Sequence, residues 1–226
     1  NYVNVSSPVS VAALKAGAAA MGIPLYRYIG GQSAFTLPTG GPLCASGSKR
    51  YAANLPAQGR PTYAFVAHDF PTFSDAHYAL WETANTYEGL LGFKYGFLIH
   101  RGFSMTIPAG RMVSDLFLWD TFVESLEMAD YTGKIGIHVD VGANEYYNRE
   151  TKRYEGLFSA APKTREELIA FYEDIAKKYP LLILQDPLEE NDLEGYAYLT
   201  KNFDVQIVGD DIFSSDVERI KDCVDS

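Results

Sequence analysis

Small and apolar residues run almost unbroken from Val9 to Met21, behind a Ser7-Pro8 pair and ahead of Gly22 and Pro24. A hydroxyl before a proline opens a helix, and glycine followed by proline closes one, so this stretch predicts a helix. Leu37 to Ala45 and Thr62 to Ala67 are apolar, β-prone runs that predict strands, and the polar, turn-rich residues Gly47 to Arg60 between them predict a loop. Ala76, Leu80, Ala84 and Tyr87 recur at helical spacing behind Ser74, which can cap them. Leu116, Val123 and Leu126 predict a further helix that ends before Gly133.

From Lys134 the pattern becomes regular. Ile135 to Val141 is a short apolar strand carrying Asp140 near its end. Thr164 and Glu167 form a capping box for a helix with Leu168, Phe171, Tyr172 and Ile175 on one side, and Pro180 stops it. Leu181 to Leu184 is a continuous apolar strand running into Gln185-Asp186-Pro187, and Gln206 to Val208 is another, running into Gly209-Asp210-Asp211. Strand and helix in alternation, with polar groups at each strand's carboxyl end, predict an α/β fold on a parallel sheet, either a barrel or doubly wound.

Composition narrows the function classes. The excess of 29 acidic over 19 basic residues repels nucleic-acid phosphates and anionic lipid alike, so neither is expected as a partner. No apolar run reaches the length of a membrane span. Cys44 and Cys223 stand far apart and in no metal-ligand spacing, which points to a reducing interior such as the cytoplasm. The chain has no initiator Met, and a piece of a longer protein is the expectation.

Asp140, Gln185 and Asp210 at three consecutive strand ends would converge oxygen atoms on one face, where α/β barrels build their sites. Such an oxygen-only set suits a hard divalent cation such as magnesium. Acidic residues after strands also serve as helix caps and turn formers, and that alternative stays open on the pattern alone.

The residues around these positions resemble enolase. Ala16-Gly17-Ala18-Ala19 through Gly22-Ile23-Pro24-Leu25-Tyr26-Arg27-Tyr28 is similar to the last helix of the enolase amino-terminal domain. Gly133-Lys134-Ile135-Gly136-Ile137 through Asp140 and Asn144-Glu145-Tyr146-Tyr147 resembles the third barrel strand with its first metal aspartate. Tyr179-Pro180 to Leu188, with Asp192 and Glu194-Gly195, resembles the next strand and its loop, and Gln206 to Asp211 the third metal motif. The resemblance implies an enolase-type TIM barrel with about five of its eight strands. Residues 1–33 would end the amino-terminal domain, and 34–226 would begin the barrel. It also implies Asp140, Gln185 and Asp210 as metal positions, magnesium as cofactor, and a lyase that dehydrates 2-phosphoglycerate, with oligomers as in other enolases.

Several positions depart from that pattern. Gln185 stands where the family has the glutamate of Glu-Asp-Pro, and an amide removes a full negative charge from a dication site, so magnesium binding is expected to weaken. Lys49 stands in a Gly47-Ser48-Lys49 run where the family has a loop histidine, and Thr62 falls near an expected glutamate. Leu98 to Phe103, with His100 and Arg101, replaces a loop that carries the acid assisting hydroxide departure. His68 and His138 have no motif partner and are expected to be structural. The resemblance with these losses implies a divergent paralogue acting as a structural or interaction component, with cytoskeletal or flagellar association among the precedents. Its alternatives are an active phosphopyruvate hydratase, or another enolase-superfamily enzyme acting on a different carboxylate. A five-strand arc leaves an open edge, so the rest of the polypeptide or another chain is expected to complete it.

Overall fold

A computed structural model describes residues 3–33, 36–46, 61–95, 99–101, 104–106 and 115–225. They fall into two units, Asn1–Pro38 and Thr39–Ser226. The first holds helices α1 (Val3–Met21) and α2 (Leu25–Gly30). The helix predicted behind Ser7-Pro8 starts earlier, at Val3, and Pro8 lies inside it. Only one backbone hydrogen bond is forfeited by a proline that close to the helix start, so the preceding turn still forms. Gly17 is where α2 approaches α1, since a Cβ there would lie 2.5 Å from the Tyr28 hydroxyl.

The second unit is built on strands β1 (Leu43–Ser46) and β2 (Thr62–Ala67), helix α3 (Phe73–Tyr95), strands β3 (Ile99–Arg101) and β4 (Ser104–Thr106), and helix α4 (Leu116–Met128). There follow β5 (Ile135–Asp140), a small hairpin of β6 (Tyr147–Asn148) and β7 (Arg153–Tyr154), α5 (Arg165–Lys178), β8 (Leu181–Gln185), α6 (Leu193–Asn202), β9 (Gln206–Val208) and α7 (Val217–Asp225). Seven strands form one sheet in the order β3-β4-β1-β2-β5-β8-β9.

The parallel sheet expected from Lys134 onward forms, and an antiparallel strand precedes it. β5, β8 and β9 are parallel, but β2 runs antiparallel to both β1 and β5. β2 pairs with β1 through Leu43↔Ala64 and Ala45↔Tyr63 and with β5 from Thr62↔Asp140 to Ala67↔Ile135. Between β2 and β5 stand α3, the β3 and β4 pair, and α4, and β5 then runs parallel to β8. The strand expected from Leu37 is shorter and begins at Leu43. α3 is capped by Thr72 rather than Ser74: the Thr72 Oγ1 accepts the Asp75 backbone N–H at 3.1 Å.

The core lies between the sheet and its helices. Tyr63 and Phe65 of β2 meet Phe122 of α4 at ring-centroid distances of 6.0 and 4.5 Å, and Tyr87 of α3 stacks on Phe122 at 4.3 Å. Ile135, Ile137 and Val139 of β5 and Leu184 of β8 are fully buried in the same cluster. Each such side chain contributes about 1.5–3 kcal/mol by leaving water. The Tyr63 hydroxyl donates to the buried Asp115 at 2.8 Å, which gives that core carboxylate a partner. The capping box forms as predicted: Thr164 Oγ1 accepts from the Glu167 N–H at 3.2 Å, and Glu167 accepts from the Thr164 N–H at 2.8 Å. α5 ends at Lys178, just before Pro180.

Among the described residues no single helix is long and apolar enough to cross a membrane. Both cysteines are free thiols.

Candidate functional site

The carboxyl ends of β5, β8 and β9 lie side by side, and the reversal of β2 brings its first residue to the same end. In the ladders Thr62 pairs with Asp140, Asp140 with Gln185, and Gln185 with Val208, two residues before Asp210. The three positions expected to converge therefore do so, and Thr62, hydroxyl-bearing and buried, occupies the next place in the row. Asp140 and Gln185 are half-buried, while Asp210 is exposed at the rim.

Asp210 owes its place to Asp186. That residue sits at the turn after β8 with φ of 44°, a left-handed conformation that costs a non-glycine residue about 1–3 kcal/mol and persists only where surroundings enforce it. Its own N–H donates to the Val208 carbonyl at 3.0 Å, and its carbonyl accepts from Ala143 at 3.0 Å. The buried carboxylate takes the backbone N–H groups of Asp210, Asp211 and Ile212 at 3.0, 2.9 and 3.4 Å. Burial pushes the Asp186 pKa above the ordinary carboxylate value, while those three N–H donors pull it back in part. Gly209 completes the turn. A Cβ there would lie 2.4 Å from the Ile212 side chain and 2.6 Å from the Phe213 ring, so any larger residue would force those side chains to move. Arg219 of α7 fastens the same loop from outside by donating to the Ile212 and Glu190 carbonyls.

Gln185 is engaged on both sides. Its Oε1 lies 3.0 Å from His138 Nε2, and its Nε2 donates a long bond of 3.4 Å to Asp210 Oδ2. With the amide N–H turned to Asp210, its carbonyl oxygen faces the ring, which makes His138 Nε2 the donor. Burial lowers the His138 pKa and favours the neutral ring, and the bond to Gln185 opposes this in part. His138, expected to be structural, has in Gln185 a partner that the sequence pattern did not reveal. His68 is exposed; its backbone N–H pairs with the Lys134 carbonyl at 3.0 Å.

In this arrangement the Gln185 amide N–H is turned toward Asp210 and its oxygen toward His138, so a dication at the mouth would require the amide to turn over. Among the described residues no three His, Cys, Asp or Glu side chains are grouped to hold a metal ion. Lys49, Leu98, Gly102 and Phe103 lie outside the described residues, as do the side chains of His100 and Arg101; the backbone of the latter two forms β3, paired with β4.

Asp192, part of the motif after β8, caps α6 by accepting the Gly195 N–H at 2.9 Å. It also takes Arg165 Nε at 2.6 Å, tying the starts of α5 and α6 together. Its place there is structural. Sequence reading overlooked Asp186 and Asp115, both buried acids. A carboxylate directly after an apolar strand and before proline was the available signal for Asp186, and nothing in the local pattern marked Asp115.

Comparison with known proteins agrees with this geometry. Residues 112–226 match the family described as "Enolase, C-terminal TIM barrel domain". The chain is 35% identical over 217 residues to an enolase of Methanopyrus kandleri, covering 94% of this chain and 50% of that protein. It is 32% identical over 224 residues to one of Methanococcus aeolicus and 31% over 225 to one of Methanocaldococcus jannaschii, each covering 96% of this chain and 50% of the relative. The chain spans about half the length of the curated relatives it matches. The sheet, with its strand ends gathered at one mouth, is accordingly part of an enolase-type TIM barrel, and the chain belongs to the enolase family.

Proposed function

We propose that this chain belongs to an enolase-family protein that has lost the dehydration of 2-phosphoglycerate and acts as a structural or interaction component. The observation that carries the reading is Gln185, which stands in register with Asp140 and has both ends of its amide committed to protein partners. The enolase resemblance implies an enediolate stabilised by magnesium. Each anionic oxygen replaced by an amide lowers the attraction for such a dication, and here the amide also presents hydrogens where the cation would stand. Thr62, opposite Asp140, adds no charge to the row.

β9 ends the sheet as described, so this reading includes further strands beside it, from the rest of the polypeptide, from another chain or from a second copy. Two free thiols accord with a reducing, cytoplasmic setting. The names of the curated relatives lend nothing to a cytoskeletal or flagellar role.

The test is an assay of the intact protein with 2-phosphoglycerate and magnesium. No turnover is expected, and rates like those of an ordinary enolase would overturn the reading. A working phosphopyruvate hydratase is the second reading, favoured by Asp140 and Asp210 flanking the mouth and by relatives named enolase. The same assay decides between them.

A further inference from the structure

The amide at position 185 does more than fail to hold a cation. His138 lies on β5, Gln185 at the end of β8, and Asp210 just after β9, so two hydrogen bonds from one side chain span three neighbouring chain segments. We infer that Gln185 replaces a bound cation as the tie across the barrel mouth, holding β5, β8 and the loop after β9 in register without metal. This rests on the reading that no dication occupies the mouth.

The chemistry favours a neutral tie. A cation between carboxylates screens their mutual repulsion; without one, a third carboxylate would add to it. A glutamine has nearly the shape of a glutamate, so it reaches the same places while offering one donor and one acceptor. Both ends are used: the donor meets the acid at the rim, and the acceptor meets the half-buried imidazole. Asp186 supports the tie from behind by fixing the backbone of Asp210. The bonds differ in quality, 3.0 Å to His138 and 3.4 Å to Asp210, so the first is the stronger link.

Thermal unfolding of the intact protein, with chelator and then with millimolar magnesium, tests this. Wild type is expected to unfold at the same temperature in both. Gln185→Glu in chelator is expected to unfold about 2 °C lower, the shift that a loss near 1 kcal/mol gives in a large domain. Magnesium should restore it, since the new carboxylate completes an anionic set. Gln185→Leu, which deletes both bonds without adding charge, is expected to fall by a similar amount in chelator and to gain nothing from magnesium. Equal melting of wild type and Gln185→Leu in chelator, or a magnesium-dependent rise in wild type, would overturn the tie. Failure of the underlying reading shows separately, as turnover of 2-phosphoglycerate by wild type. A protein that turns over substrate defeats the reading; one that does not, yet melts unchanged as Gln185→Leu, defeats only the tie.

Discussion

The two faces of the same strands are specified very differently. On the side toward the helices, Ile135, Ile137, Val139 and Leu184 are fully buried among aromatic rings, and many residues share the work of excluding water. On the other side, at the mouth, His138, Asp140 and Gln185 are half-buried and each makes only a few directional contacts. A hydrophobic face tolerates gradual change because its energy is spread over area. A polar face of three residues changes its chemistry with one substitution and leaves the fold intact. The chain can therefore keep its family membership while the site diverges.

The sharpest way to break the packed face is Phe122→Ala, which removes the ring that Phe65 and Tyr87 share. A loss of about 3–5 kcal/mol is expected in chemical denaturation of the intact protein. Asp186→Ala should cost about 2–3 kcal/mol by stranding N–H groups. Unlike the first change, it should act locally, with hydrogen exchange accelerating at Asp210, Asp211 and Ile212 while β5 amides stay protected. The pH dependence of Asp186 follows from its raised pKa. Between its unfolded and folded values the native state binds more protons, so the stabilising contribution is full below the unfolded value and is lost as pH rises through the folded one. Asp186→Asn should remove that slope. Thr164→Ala, which breaks the capping box of α5 away from both faces, should cost about 1 kcal/mol and leave the mouth unchanged. The smallest perturbation is thiol labelling of the native protein. Burial raises the Cys44 pKa far above the normal thiol range, so Cys223 should react and Cys44 should not until unfolding.

The amount legible in the sequence follows the same division. β5, β8, β9 and α5 were readable because apolar runs and a local capping box encode them within a few residues. The direction of β2 was not, because its six residues look alike whichever way they run, and only the pairing with β1 and β5 shows it. At the site, the positions of Asp140, Gln185 and Asp210 followed from strand ends, but the partner of Gln185 did not. His138 is 47 residues away, and its nearness depends on the register between β5 and β8. Asp186 was hidden for a similar reason, since its carboxylate serves backbone groups 24 to 26 positions later.

The reversed direction of β2 has one more consequence. Because β1 finishes and β2 starts at the same end as the tips of β5 and β8, Thr62 enters the polar row from a strand that runs against the parallel set. A substitution at Thr62 would therefore alter the immediate neighbour of Asp140 without touching β5, β8 or β9.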